Sequence, residues 1–355
     1  MTIIDFWCKI TKKIRNTHYF SVILCQNSAK MDSLTLIKRP IKSEFSDFLE
    51  QYNLSLSHAD GLLGSALAHI RQRDGKHMRP LLTLLLAKNY GQVNTVTQHA
   101  AIGLELLHAA SLVHDDVVDE SAERHGQPSV NASFNNKVAV LVGDYILSTA
   151  LLHVSHTQNV KIMENISQVG QKLATGELLQ LQSVQNPVFS EQVYYDVIRM
   201  KTASLFESCA VLGCLSVGVD DAETERARQF GETLGMMFQI RDDIFDYFDS
   251  YDIGKPTGND MAEGKLTLPV LYALKTTSFE SMTTLARKVK AGTINTDEIA
   301  VLVEFTKQQG GIEYAEQRMQ DFYRQGMVFI DESVKKAEIR DALVTYLDYV
   351  MKRRY

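Results

Sequence analysis

The chain has 355 residues, 45% hydrophobic and 23% charged, with a formal net charge of −6. That balance offers no basic stripe for nucleic acid, and the length fits one large domain or two smaller ones. Four cysteines without framework or zinc spacing point to a reducing, cytoplasmic setting instead of disulfides.

With 6 prolines, 20 glycines and apolar residues recurring at three and four, the sequence predicts an all-α protein. No linker or extended repeat divides it, so a single domain is expected over 31–355. Residues 1–30 hold the only tryptophan, Trp7, and the basic cluster Lys9, Lys12, Lys13 and Arg15. Met31 reads as an ordinary start, so this segment is expected to be an N-terminal extension that packs poorly or is disordered, with a targeting segment as the alternative. No uncharged apolar run reaches the roughly 18 residues of a membrane span, and Ser208 to Val219 fits a buried helix.

From Ile41 to Gln72 the spacing predicts one or two amphipathic helices. Asp74-Gly-Lys-His-Met-Arg-Pro80 is a polar break before an apolar run, and Pro80 suits a first helical turn. Lys76 and Arg79 then stand near a helix N-terminus, which favours anions. A solvated basic loop is the plain alternative.

Leu104 to Ser129 reads LELLHAASLVHDDVVDESAERHGQPS. On a helix, Asp119 lies about 40° from Asp115 and about 60° from Asp116, so three carboxylates share one face. Behind them the helix is apolar enough to be buried, and buried like charges need a cation or a proton. Oxygen-only ligands suit Mg²⁺; a solvated acidic helix end is the alternative. His108 lies two turns earlier near the same face, as a ligand-facing or a core histidine. Glu123 to Ser129, with Arg124 and His125, is a Gly/Pro turn.

Helices are predicted over Lys137–His153 and Val160–Gln182, with a break at Pro187 and a restart at Glu191. Lys201 and Thr202 edge an apolar run. Phe238 to Tyr247, FQIRDDIFDY, then repeats the aspartate spacing with Asp242, Asp243 and Asp246, preceded by Gln239. Asp249 to Lys265 is a glycine-rich charged loop, long enough to suggest a lid, with Lys255 and Lys265 in it. Beyond Leu266 the pattern is helical, without evident chemistry; the C-terminal Lys352-Arg-Arg-Tyr355 is expected to face solvent, with contact to a diphosphate as the alternative.

The two DDxxD clusters, with the motifs between them, resemble those of the trans-isoprenyl diphosphate synthases (polyprenyl synthetases), from about Phe45 to the C-terminus. The resemblance implies the isoprenoid synthase fold: helices around a deep central cavity, with the clusters facing each other across its mouth. It implies that all six aspartates bind Mg²⁺, three ions per site. Lys76, Arg79 and His108 then face isopentenyl diphosphate, while Arg124, Lys201, Thr202, Lys255 and Lys265 face the allylic diphosphate, beside Gln239. His125 stands where the family has a second arginine for isopentenyl diphosphate. It lacks the guanidinium fork, so weaker binding of that substrate is expected.

In that chemistry the diphosphate leaves, the double bond of isopentenyl diphosphate attacks the allylic cation, and the released diphosphate takes the proton. Short-chain relatives often place aromatics one turn before the first aspartate. Here Ala110 and Ser111 are small, so a long-chain, octaprenyl-type product is expected, usable as a quinone side chain, with Leu86, Leu107 or Ile166 as candidate floor. A homodimer and peripheral membrane contact for product release follow from the resemblance. The competing readings are a farnesyl or geranylgeranyl diphosphate synthase, a non-catalytic subunit of a heteromeric synthase, a terpene cyclase and a phosphohydrolase.

Overall fold

Sparse prolines and long apolar periodicities give fourteen helices of eight residues or more among the described residues. The computed structural model describes residues 32–72, 75–124, 126–186, 188–248, 257–277 and 279–353. The chain divides into Met1–Leu36 and Ile37–Tyr355, and the second unit carries every described site residue. The expected extension over 1–30 lies outside the described residues, as do His125 and Lys255.

In chain order the longer helices are α1 (Lys42–Ser55), α2 (Gly61–Arg71), α3 (Met78–Tyr90), α4 (Thr95–Val118), α5 (Asn136–His156), α6 (Val160–Gln185) and α7 (Glu191–Ile198). They are followed by α8 (Ser204–Leu215), α9 (Asp221–Phe245), α10 (Leu268–Thr276), α11 (Glu280–Lys290), α12 (Thr296–Gln308), α13 (Gly311–Ser333) and α14 (Ala337–Lys352). The sheet among the described residues is one small antiparallel hairpin, with Arg124 opposite Gln127.

Local chemistry sets the ends. Asn94 opens α4 with a capping box, accepting from the Thr97 N–H at 3.0 Å while its own N–H reaches Thr97 Oγ1. The end of α6 lies beyond the predicted Gln182, because Lys290 Nζ gathers the carbonyls of Ser183, Asn186 and Val188 at 2.9, 2.6 and 3.0 Å. A cation there satisfies the helix terminus.

The predicted buried run becomes α8, buried from Ser204 through Cys214. It is gripped from both sides by backbone approaches that leave no room for a side chain. A Cβ on Gly213 would lie 2.7 Å from the Thr83 carbonyl oxygen of α3. On α9, a Cβ on Gly231 would lie 2.4 Å from the Phe206 oxygen, and one on Gly235 2.4 Å from Ala203 Cα. The second aspartate cluster therefore rides on a helix pressed against the segment that carries Lys201 and Thr202.

The helix α5 is long and apolar enough to cross a membrane by length and composition, with 33% of its most apolar window buried. Lys137 and Asp144 interrupt the uncharged run without lowering its mean hydropathy much. The helix packs along α4, while Leu141, Leu151 and Leu152 are exposed, as are Val160, Leu178 and Leu181 on α6.

Gly235→Ala should destabilise the fold by about 1–3 kcal/mol through overpacking. Gly170→Ala, whose Cβ would meet only Leu107 Cδ1 at 4.0 Å, should be neutral or stabilising by up to about 1 kcal/mol. Urea unfolding of both variants checks this; equal effects would contradict the packing argument.

Candidate active site

Both aspartate clusters end their helices. Asp119 is the C-cap of α4 and Asp246 that of α9, so the third carboxylate of each cluster stands one residue beyond the helix. The carbonyl end of a helix disfavours anions, and it adds to the repulsion within each cluster.

In the first cluster, Asp116 is buried. Its Oδ1 accepts from Arg124 Nε at 2.7 Å, and its Oδ2 is buried without a hydrogen-bond partner. Burial pushes the Asp115 carboxyl up to about 6; Glu177 and Asp119 add to the shift, while Lys201 and Arg124 oppose it. Among the described residues, no hydrogen-bond donor holds Asp115 or Asp119.

The second cluster is organised differently. Asp243 accepts the Tyr194 hydroxyl at 2.5 Å on Oδ2 and Gln239 Nε2 at 2.8 Å on Oδ1. Burial pushes it up to about 7, with Asp242 and Asp246 adding to the shift. Asp246 accepts the N–H groups of Asn259 and Asp260 at 2.9 and 3.1 Å, so it anchors the base of the charged loop. Burial, Asp243 and Asp246 raise Asp260 well above the carboxylate range. Asp242 keeps a 40% exposed side chain and is raised by burial, against Arg353, Lys76 and Arg79. Direct ligation by Asp243 or Asp246 requires displacing these protein donors; Asp115 and Asp119 carry no such donor among the described residues, Asp242 gives one oxygen to Arg353, and the partnerless Oδ2 of Asp116 is buried.

A π-type turn, Arg199–Ala203, joins the clusters. Lys201 ion-pairs with Glu177 and donates to Gln180 Oε1 at 3.2 Å, close enough to Asp115 to favour its charge. Thr202 donates to Gln239 Oε1 at 2.7 Å, and Gln239 holds Asp243. Gly176 permits the approach: a Cβ there would lie 2.8 Å from Met200 Cβ and 2.9 Å from Lys201 Cγ. Burial would lower the pKa of Lys265, but Glu263, Asp260 and Asp119 outweigh it and raise the pKa, so this lysine feels the first cluster through Asp119.

Lys76 and Arg79 lie at the start of α3, and both reach Asp242 electrostatically. Arg79 lies over the Phe206 ring at 5.4 Å, with its Nε buried and without an acceptor. His77, in the left-handed region at φ 49°, bonds Glu105 Oε1 at 3.1 Å among the rings of Phe45, Phe48 and Tyr52. His108 is half-buried on α4. Ala110 is buried, and Ser111 turns its hydroxyl back onto the His108 carbonyl at 2.9 Å. Leu86, Leu107 and Ile166 are buried as well.

Among the C-terminal arginines, the preference for solvent is corrected at Arg353. Arg353 is 8% exposed, not in solvent: it stacks on Phe238 at 3.6 Å and donates to Asp242 Oδ1 at 2.6 Å and to the Phe238 carbonyl at 2.7 Å. Helix α14 delivers it there, because the Tyr346 hydroxyl docks on the Met78 carbonyl at 2.8 Å. Arg354 and Tyr355 lie outside the described residues. Sequence reasoning also missed Glu177, Gln180, Tyr194 and Asp260.

Among the described residues, no three His, Cys, Asp or Glu side chains form a ready metal cage. Mg²⁺ takes one or two carboxylates and completes its shell with water and phosphate oxygens. The all-oxygen donor set and the bare Asp116 Oδ2 fit the ion.

The polyprenyl synthetase family model matches residues 60–306. The chain is 33% identical over 319 residues to an all-trans-nonaprenyl-diphosphate synthase (geranyl-diphosphate specific) of Rhodobacter capsulatus, covering 89% of this chain and 97% of that one. A geranylgeranyl pyrophosphate synthase structure from Bacteroides thetaiotaomicron is 52% identical with a TM-score of 0.80, covering 90% and 99%. A polyprenyl synthase structure from Caulobacter crescentus CB15, complexed with calcium and isoprenyl diphosphate, is 27% identical with a TM-score of 0.84, covering 91% and 98%. The all-α architecture is that of the isoprenoid synthase fold.

Asp115 and Asp243 hold protons in the folded chain at pH values where the unfolded chain has lost them. Their contribution to stability therefore falls as pH rises from about 4 to about 7. In EDTA these two groups should lower the Tm as pH rises through that window, and Mg²⁺ should raise Tm more at pH 8 than at pH 5. A Mg²⁺ shift independent of pH would contradict the electrostatic reading.

Proposed function

The chain belongs to the polyprenyl synthetase family, and on that premise we propose that it condenses isopentenyl diphosphate with an allylic diphosphate such as farnesyl diphosphate. Each cycle releases diphosphate and adds one five-carbon unit. The observation that carries this reading is the Arg199–Ala203 turn, whose Lys201 serves one aspartate cluster and whose Thr202 serves the other.

Asp115, Asp119 and Asp242, with Asp116 Oδ2, would hold Mg²⁺, three ions per site. The bound ions supply Lewis-acid neutralisation of charge on the departing diphosphate. Lys201, Lys265 and Arg124 add fixed positive charge on the allylic side, with Lys255 as a further candidate in the same loop. Tyr194 and Gln239 hold Asp243 so that its neighbour Asp242 keeps its orientation. Lys76, Arg79 and His108 seat isopentenyl diphosphate, and the buried apolar residues below the mouth exclude water from the cation. Arg353, already beside Asp242 and within the same field as Lys76 and Arg79, supplies a guanidinium to that seat, where His125 replaces the family arginine.

Small residues at Ala110 and Ser111 support a long-chain, octaprenyl-type product, in line with the name of the Rhodobacter relative. The second reading, a geranylgeranyl-length product, draws on the Bacteroides structure. Presence of all six aspartates favours a catalytic chain over a silent subunit. The exposed leucines of α5 and α6 support a homodimer that pairs these faces, with peripheral membrane contact at product release. The buried free thiols of Cys209 and Cys214 suit a reducing cytoplasm.

Incubation with Mg²⁺, labelled isopentenyl diphosphate and farnesyl diphosphate should give prenyl alcohols longer than twenty carbons after dephosphorylation. Ala110→Phe should shorten them, and Arg353→Met should raise the KM for isopentenyl diphosphate about tenfold or more while sparing that of farnesyl diphosphate. A wild-type product stopping at twenty carbons contradicts the chain-length assignment, and no incorporation contradicts the catalytic one.

A further inference from the structure

Between α7 and α13 lies a cleft of about 640 Å³ that takes no part in the chemistry above. Three guanidiniums line it, Arg199, Arg318 and Arg324, against two carboxylates, Glu191 and Asp321, and beside the rings of Tyr195 and Phe322. Asp321 alone serves two of them, with Arg318 NH2 at 2.6 Å and Arg324 paired on its other oxygen. Three guanidiniums against two carboxylates leave one positive charge in excess on the lining. Moreover, Arg318 Nε is buried without an acceptor. The cleft therefore pairs an unmet demand for anionic oxygen with aromatic walls, at a volume ordinary for small-molecule sites.

Its walls are also parts of the active site. Tyr195 faces the cleft, while its neighbour Tyr194 donates to Asp243. Arg199 is the first residue of the turn that presents Lys201 and Thr202, and it is tied to Glu232 of α9 at 2.8 Å and to Asp196 at 3.1 Å. An anion in the cleft competes with Glu232 for Arg199. Freed from α9, the turn would hold Lys201 and Thr202 less firmly.

From this geometry we infer that the cleft is a regulatory site for a small amphiphilic anion, an apolar body bearing one phosphate or carboxylate, whose binding weakens that of the allylic diphosphate. The coupling rests on the synthase reading; the binding does not. Linkage makes the effect reciprocal, so a filled active site should lower affinity in the cleft without abolishing it.

The test is calorimetric titration of the full chain with 1-naphthyl phosphate, with and without Mg²⁺ and a saturating unreactive thiolo analogue of farnesyl diphosphate. Binding should persist beside the analogue, and Arg318→Met should weaken it about tenfold, the loss expected of one charge-assisted contact. Arg324→Met, at a 64% exposed side chain, is the second variant should the first fold poorly. Inorganic phosphate, lacking the apolar body, should bind at least about tenfold more weakly. In turnover, 1-naphthyl phosphate should raise the KM for farnesyl diphosphate and leave that for isopentenyl diphosphate unchanged, and Arg318→Met should remove the effect at unaltered basal activity. Binding wholly displaced by the analogue, or untouched by both variants, overturns the site. Binding that leaves the allylic KM unchanged overturns the coupling. Loss of all elongation activity would count against the synthase reading alone, since the calorimetric arm needs no turnover.

Discussion

Carboxylates gathered at the negative ends of two helices repel one another and the helix carbonyls, and everything around the mouth of this fold manages that repulsion. The two clusters are managed in different ways. Around Asp243 and Asp246 the protein supplies its own donors, from Tyr194, Gln239 and the backbone of Asn259 and Asp260, and it relies on burial to favour protonated acids. Around Asp115 and Asp119 it supplies nearby cations and leaves the carboxylates bare. Asp243 and Asp246, held by protein donors, differ in this from Asp115 and Asp119.

That division depends on close packing some distance from any charge. Gly231 and Gly235 bring α9 against the backbone before and within α8, and Gly176 admits the turn bearing Lys201. These contacts set how far Thr202 stands from Gln239, and hence how Asp243 is held. A side chain at Gly231 or Gly235 would press on the backbone of Phe206 or Ala203, and one at Gly176 would press on Lys201 itself. Stability and geometry are therefore coupled at the same few backbone crossings.

Much of this was legible in the residues themselves. Helical content followed from periodicity, and the aspartate clusters from spacing, because local repeats carry local structure. What spacing does not encode is which residue arrives from elsewhere. Tyr194 reads as a core aromatic on a short amphipathic helix, and only the fold shows its hydroxyl on Asp243. Arg353 reads as a frayed terminus; its burial depends on Tyr346 meeting Met78, 268 positions away in sequence. Asp260 reads as one loop acid among several until Asp246 caps its backbone. The exposed leucines of α5 and α6 were hidden for the opposite reason, since an apolar helix looks alike whether it faces a core or a partner.

The central claim is that the mouth binds an allylic diphosphate through ions held by carboxylates that repel each other without them. The direct measurement is calorimetric titration of the wild-type chain and of Asp115→Asn and Asp242→Asn with the thiolo analogue of farnesyl diphosphate, in Mg²⁺ and in EDTA. The account predicts tight binding in Mg²⁺ only, with both variants losing most of the Mg²⁺-dependent part while remaining folded and at least as stable without metal. Equal affinity in EDTA, or Mg²⁺-dependent binding undiminished in both variants, would contradict it.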